Sequence, residues 1–480
     1  MKTLKTLLKI SVLATFAATF TSCEPPVVTP PAETPTNVEL SGELNTQTLD
    51  ATKKYLIKGI VTVPEGAILS IPAGTVLVGQ KSSKGTLVIK PGGKLIAEGT
   101  PEKPIVFTSN QLPGEREQGD WGGLVILGKA NINQNNPAVE GVSPAVNYGT
   151  FNSSVNDADN SGILKYVRIE YAGIALTPNN ETNGLTMGAV GTGTTVDYVQ
   201  VTYGGDDAFE WFGGTVSCAH LIALATWDDD FDTDFGFTGK VQFAISIRDP
   251  FNADQSGSNG FESDNDATGS TATPKTAPVF SNITILGPVF DSTKSLSGNY
   301  KHAMHLRRNT ELSIFNSVIT GYPVGLNLDG TATVNNYTSG LGVLDNNILV
   351  STGANKGNPN PFISGSSAST TVADYWKTTK SNLVFTKTAP MQGTTHLSSK
   401  ALADAGVNPE LFMGYNTIAG VSGNYPKDPN FASFTGLTQT GANFSNTKLQ
   451  GFSNTTYKGA FSNIDWTDLW SNFNPQNQNY

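Results

Sequence analysis

Apolar and polar residues alternate along this chain in runs that are too short for helices. From Tyr55 to Gly79 the text is YLIKGIVTVPEGAILSIPAGTVLVG, in which IVTV, ILSI and TVLV are separated by Pro-Glu-Gly and Pro-Ala-Gly. TLVIKPGGKLIAEG (Thr86 to Gly99) and PIVFTS (Pro104 to Ser109) continue the pattern. A period of two predicts strands. A turn signal every few residues limits them to about four or five residues, as three short faces per coil would require. A sandwich would show longer strands joined by hairpin turns, so the spacing predicts stacked parallel coils.

Internal repeats say the same. Tyr198 to Glu210 (YVQVTYGGDDAFE) and His220 to Asp232 (HLIALATWDDDFD) overlay at an offset of 22 residues. Such a period in strand-like sequence marks a solenoid. LKYVRIEYAG (Leu164 to Gly173) matches VDYVQVTYGG (Val196 to Gly205) at an offset of 32, one coil plus a loop. SNGFE (Ser258 to Glu262) matches DDAFE at an offset of 52 and brings Glu262 under Glu210, with Asp264 nearby. Asn282, Asn316, Asn346 and Asn382 each precede or interrupt an apolar run, where a turn asparagine can bond to its neighbours in adjacent coils. The pattern loosens past about Gly353. There SSKALADAG (Ser398 to Gly406) reads as a short helix with a serine cap and a glycine stop. Residues 41–352 are assigned to the coils. Residues 353–480 are assigned to an irregular extension that closes the open end, because an uncapped coil exposes apolar surface and strand edges.

The overlay also carries the candidate chemistry. It stacks Asp206 on Asp228 and Glu210 on Asp232, about 4.8 Å apart. Alternation along WDDDFDTDFGF puts Asp228, Asp230, Asp232 and Asp234 on one face and Phe231 on the other, so Phe209 over Phe231 is expected as a core stack. Carboxylates about 5 Å apart repel by roughly 0.8 kcal/mol per pair in water and ~3 kcal/mol at an effective dielectric of 20. Relief comes from solvent, raised pKa values, a nearby arginine or a bound cation. Oxygen ligands without His or Cys favour Ca²⁺, which makes Asp206, Glu210, Asp228, Asp230, Asp232 and Asp234 the candidate ligands. The run is not an EF-hand loop, since Thr233 stands where that loop needs glycine. Trp211, Phe212 and Trp227 beside the acids would stack on sugar rings if exposed. His302 and His305, three apart on a strand, are expected on opposite sides and not to share a metal. No nucleophile–His–acid set is evident.

Composition bounds the setting. The net charge of −10 argues against nucleic acid, and 50 glycines suit a turn-rich all-β body. Lys2, Lys5 and Lys9 precede an apolar run from Ile10 to Phe20, too short to span a bilayer and typical of an export signal over residues 1–22. The small residues before Cys23 resemble the lipobox of bacterial lipoproteins, which implies cleavage there and acylation of the Cys23 thiol. EPPVVTPPAETPTN follows. It reads as an extended tether within residues 23–40, reaching about 40 Å at ~3.1 Å per residue. The one other cysteine, Cys218, lies in a strand-like run and is expected to be buried and inert.

GTLVIKPGGKLIAEGTPEKPIVFTS resembles the opening coils of right-handed parallel β-helices of the pectate-lyase superfamily. GDWGGLVILGKA (Gly119 to Ala130), GGDDAFEWFGGTV (Gly204 to Val216) and the closing YKGAF, DWTDLW and NPQNQNY segments are similar to a family of uncharacterised outer-membrane lipoproteins of Bacteroidota with spirochaete relatives. The resemblance implies an all-β, right-handed parallel β-helix at the outer membrane, on its periplasmic or cell-surface side, and no established activity. In polysaccharide lyases of this fold, Ca²⁺ offsets a uronate carboxylate and an arginine or lysine takes the α-proton. Arg168, Arg248, Arg307 and Arg308 are the candidates here, though no segment matches a lyase catalytic motif. The expected function is therefore binding: a lipid-anchored monomer presents a rigid face to a glycan or an outer-membrane transporter, with Trp211, Trp227, Arg307 and Arg308 as ligand contacts. A Ca²⁺-dependent polysaccharide lyase is the alternative.

Overall fold

The chain coils because it leaves the extended conformation at matching places in successive turns. The computed structural model describes residues 38–140, 142–177, 180–350, 362–363, 369–378, 380–385, 398–416 and 425–480. The export signal, Cys23 and most of the tether lie outside them. At one corner Tyr166, Tyr198, His220, Phe243, Asn282, Asn316 and Asn346 all take left-handed backbone, with φ between 51° and 61°. A side chain makes that conformation costly, and asparagine tolerates it best. The aromatic members are compensated by stacking, with ring centroids 4.5 Å apart for Tyr166–Tyr198, 4.1 Å for Tyr198–His220 and 5.2 Å for His220–Phe243. The asparagines continue the column through side-chain bonds, Asn346 Nδ2 donating to Asn316 Oδ1 at 2.7 Å.

Three parallel sheets lie between the corners. The first starts at Val38–Glu43 on Lys54–Val63 and ends with Ile348–Val350 on Leu383–Phe385. The second runs through Thr86–Ile89, Gly123–Leu127, Leu185–Val190, Phe209–Gly214, Phe231–Asp234, Phe261–Ser263, His302–Leu306 and Val324–Leu328 to Phe362–Ile363. The third links Gln47–Thr48 to Ile68–Ile71 and ends at Leu344–Asp345. Long strands such as Gly162–Glu170 and Thr195–Thr202 bend through the corner and serve two sheets. The architecture is the expected right-handed parallel β-helix, the hand that parallel crossovers adopt. Its register follows the repeats: Phe209 pairs with Phe231, Leu164 with Val196, and Phe231 with Phe261. Inward residues fill the coil. Phe209 and Phe231 stack at 6.0 Å, fully buried as expected.

Two expectations about the C-terminal part need correction. The coils do not stop near 352, because Ile348 pairs with Leu383. The last forty residues also do not plug the end. They run back along the flank, against the corner column. Gly441 accepts from Asn346, Asn443 from Asn316 and Tyr457 from Asn282. Asn472 accepts from Gln200, and the Tyr480 hydroxyl bonds Glu170. Trp466 and Trp470 set their edges against Tyr198 at 6.3 and 5.9 Å. A column of rings and unpaired amides exposes both apolar area and hydrogen-bond capacity, so it attracts a covering strap. The last coil is instead met by the helix Ser369–Thr378, whose Val372, Tyr375 and Trp376 are buried in the core shared with Phe362 and Val384. The helix Ser399–Ala405 forms as read, with Ser398 accepting from the Ala401 N–H and Gly406 left-handed at φ 91°.

Candidate functional site

The second sheet carries the acids on its outer face, in three columns set by the register. The central column is Thr186, Glu210, Asp232, Glu262, His305 and Asn327. Beside it lie Asn183, Asp207, Asp229 and Asn259, each just before its strand, and His302, the first residue of its own. Here side chains reach from coil to coil: Asp207 Oδ1 accepts the Asp229 N–H at 2.7 Å, Asp229 Oδ1 the Asn259 N–H at 2.5 Å, and Asn259 Oδ1 the His302 N–H at 3.1 Å. On the far side of the strand stand Asp234, Asp264 and Arg307. The columns change character at one coil. His302, His305 and Arg307 end the acidic stretch, with His305 Nδ1 3.2 Å from Glu262 Oε2 and Arg307 Nε 2.8 Å from Asp264 Oδ1.

The acids line a cavity of about 330 Å³, shared with Phe212, Arg307 and Arg308. Arg307 also pairs with Glu262, and Arg308 Nη1 lies 2.6 Å from Asp264 Oδ2. These cations therefore serve the Glu262–Asp264 coil. Among the described residues no ion pair reaches Asp207, Glu210, Asp229 or Asp232. Burial pushes the carboxyls of Asp207, Glu210, Asp229, Asp232 and Asp234 well above the usual range, and the neighbouring carboxylates push the same way. Asp228 is raised to about 7, again first by burial. Oδ1 of Asp228 and Oδ1 of Asp232 are buried and accept no hydrogen bond.

Three sets of carboxylate oxygens lie within 4.8 Å of one another: Asp206 with Asp207 and Asp228; Asp207 with Glu210 and Asp232; Asp229 with Asp232 and Glu262. Ligands on opposite sides of one Ca²⁺ stand about 4.8 Å apart, since each bond is ~2.4 Å. The sets are therefore narrow enough for their oxygens to share an ion. With only oxygens on offer, the donor set suits a hard cation.

The candidate residues divide. Asp206, Glu210, Asp228, Asp232 and Asp234 meet in the groove as read, with Glu262 and Asp264 extending it. Asp230 does not. It is fully buried and accepts from Arg248 Nη1 at 2.8 Å and from Thr226 Oγ1 at 3.3 Å, with Ser246 as a further donor. Two-residue alternation fails there because the strand begins only at Phe231 and residues 225–230 form a bend that starts with left-handed Ala225. That bend and its counterpart at residues 203–208 bring Asp229 and Asp207, which alternation overlooked, into the groove. The doubled acids Asp206-Asp207 and Asp228-Asp229 aligned at the 22-residue offset were the available signal.

The aromatic candidates also separate. Trp211 is fully buried, stacked at 5.4 Å on Phe237, and cannot meet a ligand. Trp227 is 42% exposed but lines a different cavity. His302 and His305 do not diverge: their rings lie 4.4 Å apart, because Ala303 and Met304 between them are both buried and the alternation of the strand slips by one residue. Burial, followed by the His305 charge, lowers His302 to about 3. Arg168 lies 3.6 Å from Glu170, away from the groove. Cys218 is buried, which pushes its thiol up to about 12.

A family model described as the pectate-lyase-like β-helix domain matches residues 42–388. Among solved structures the chain is similar to the Dettilon tailspike protein at 9% identity and a TM-score of 0.26. The match covers 65% of this chain and 61% of that one, and a likeness so slight carries no argument. No curated protein matches.

Proposed function

This chain belongs to the family of pectate-lyase-like β-helix domains, and on that premise we propose that it is a lipid-anchored cell-envelope protein that holds Ca²⁺ in its acidic groove and through it binds a glycan without cleaving it. The observation that carries this reading is Asp232. Its Oδ1 is buried without a hydrogen-bond donor, and its carboxylate belongs to two of the three oxygen sets. Ca²⁺ takes six to eight oxygens. Those the acids leave unfilled are open to water and to hydroxyl or carboxylate oxygens of a sugar. Retaining so many uncompensated acids costs stability, and a bound cation removes that cost.

Elimination at a uronate would need a basic group free to take the α-proton. Arg307 is held between Glu262 and Asp264, whose charges favour its protonated form over the cost of burial, so binding is the better supported role. Anchoring rests on the lipobox-like segment ending at Cys23. Through it the β-helix would stand off the outer membrane on a proline-rich tether, within reach of an outer-membrane transporter.

The test is calorimetric titration of chelator-treated mature protein with Ca²⁺, followed by affinity electrophoresis on acidic and neutral polysaccharides with and without the ion. Stoichiometric Ca²⁺ binding and Ca²⁺-dependent retardation are expected, with no unsaturated product in the ultraviolet. Absence of Ca²⁺ binding would overturn the groove reading, and unsaturated product would replace binding by lyase activity. Cys23→Ser is expected to release the protein from the detergent phase. Co-purification of the native lipoprotein with a transporter would identify that partner.

A further inference from the structure

Consecutive residues of the 225–230 bend serve two different cavities. Asp228 lines the acidic groove. Trp227 lines a second, larger cavity of about 640 Å³, formed in part by the returning C-terminal strap through Asn474, Gln476 and Asn477. Two of the large apolar side chains that the protein leaves exposed, Trp227 at 42% and Phe251 at 47%, lie together there.

Both rings stand on fixed backbone. The Trp227 N–H donates to Gly204 O at 2.9 Å, and its carbonyl accepts from the Asp254 N–H at 3.0 Å and from Ser258 Oγ at 2.7 Å. The Phe251 N–H donates to Asp249 Oδ1 at 2.9 Å. Tyr171 and Tyr203, stacked at 5.6 Å, form a further wall. Between these surfaces lie amides. Gln118 Nε2 and Asn252 Nδ2 both donate to Ala225 O, at 3.0 and 2.8 Å, which fixes the two side chains and presents their oxygens as acceptors.

Charge narrows the ligand. The lining holds Arg116, Glu117 and Asp249. Arg116 donates through Nη1 to Pro475 O at 3.1 Å and packs 5.0 Å over the Tyr480 ring, while its buried Nε has no acceptor. With Glu117 paired to Lys81 at 3.0 Å, Arg116 and Asp249 balance and leave the lining no surplus of positive charge, which disfavours phosphates and uronates. A purely apolar ligand would leave the amides unpaired at a cost. A neutral pyranose meets both demands, laying its C–H face on an aromatic ring and its hydroxyls on the amides, in a cavity of ordinary ligand-site size.

We infer that the Trp227–Phe251 cavity is a subsite for neutral sugar residues that works without a cation. It deepens the reading of this protein as a glycan binder and rests on it, but it does not require the acidic groove to hold Ca²⁺.

The experiment uses the mature protein on an array of neutral and acidic glycans, then titrates the best neutral oligosaccharide in EDTA while following tryptophan emission. Saturable binding that survives EDTA is expected. Trp227→Ala should weaken it at least tenfold and Phe251→Ala less, whereas Val155→Ala, at an exposed apolar position outside both cavities, should leave it unchanged. Failure to bind any neutral glycan, binding indifferent to Trp227→Ala, or binding lost in EDTA would each overturn the assignment. So would competition by an apolar peptide and not by sugars. Trp227-dependent sugar binding in a protein that ignores Ca²⁺ would refute the groove reading and uphold this one.

Discussion

Asp232→Asn should stabilise the metal-free protein and abolish its response to Ca²⁺, two effects of opposite sign from one isosteric change. Asp232 is paired in register with Glu210 on one side and Glu262 on the other. At the ~4.8 Å spacing of adjacent strands and an effective dielectric of 20, each carboxylate pair repels by ~3 kcal/mol. The penalty actually borne is smaller, because burial and the neighbouring charges already raise these carboxyls and leave part of them protonated. Removing the central charge should therefore return about 1–3 kcal/mol, and the new amide can donate to either neighbour. With ~2.1 cal/mol/K per residue of unfolding entropy, a body of about 440 residues moves its Tm by ~1 °C per kcal/mol. The variant should melt about 1–3 °C above the parent in EDTA. In Ca²⁺ at a hundred times the Kd the parent should gain ~2.7 kcal/mol, or about 3 °C, whereas the variant, lacking the carboxylate common to two oxygen sets, should gain little. Scanning calorimetry of both proteins in EDTA and in millimolar CaCl₂ reads all four values. A variant that melts lower in EDTA, or that keeps the full Ca²⁺ shift, refutes the account of the groove as an uncompensated oxygen site.

The other expectations are simpler. The metal-free protein should lose stability as pH rises from about 4 to 7. Between their unfolded and folded pKa values, carboxyls raised by folding bind more protons folded than unfolded, so stability is greatest below the unfolded values and is lost as pH rises to the folded ones. Asp228, moved from 3.8 to about 7, alone costs ~4 kcal/mol to ionise in place. Melting curves across that range in EDTA, compared with curves in Ca²⁺, would show the slope and its removal, and a flat EDTA profile would contradict it. Arg248→Met should destabilise by ~3–5 kcal/mol, because it strands the fully buried Asp230 carboxylate. The double variant Arg248→Met/Asp230→Leu should recover much of the loss in urea denaturation. Trp211→Ala should cost ~3–5 kcal/mol by opening the core, while Trp227→Ala should stay within ~0.5 kcal/mol; similar melting of the two would contradict their opposite placements.

Much of this molecule was legible in its text, for a physical reason. In a parallel coil the register is the repeat, so an offset of 22 residues directly names the pairs that stack, Glu210 on Asp232 and Phe209 on Phe231. Short alternating runs and turn glycines sufficed for the sheets, and a serine and a glycine bracketed the helix Ser399–Ala405. Alternation, however, holds only while the backbone stays extended. At the bend before Phe231 it lapses, and tertiary contacts decide instead. Arg248, reaching from the next coil, holds Asp230 inside the barrel, while Asp207 and Asp229 turn out into the groove beside Asp232. The C-terminal strap shows the same limit at longer range. Its pairing along the Tyr166–Asn346 flank joins residues 272 positions apart in Gln200 with Asn472 and 310 apart in Glu170 with Tyr480, and no local pattern encodes a partner so distant. The period of the chain determined which residues would be neighbours along the spiral. Whether each side chain faced core, groove or strap was decided only when left-handed corners and remote segments came together in three dimensions.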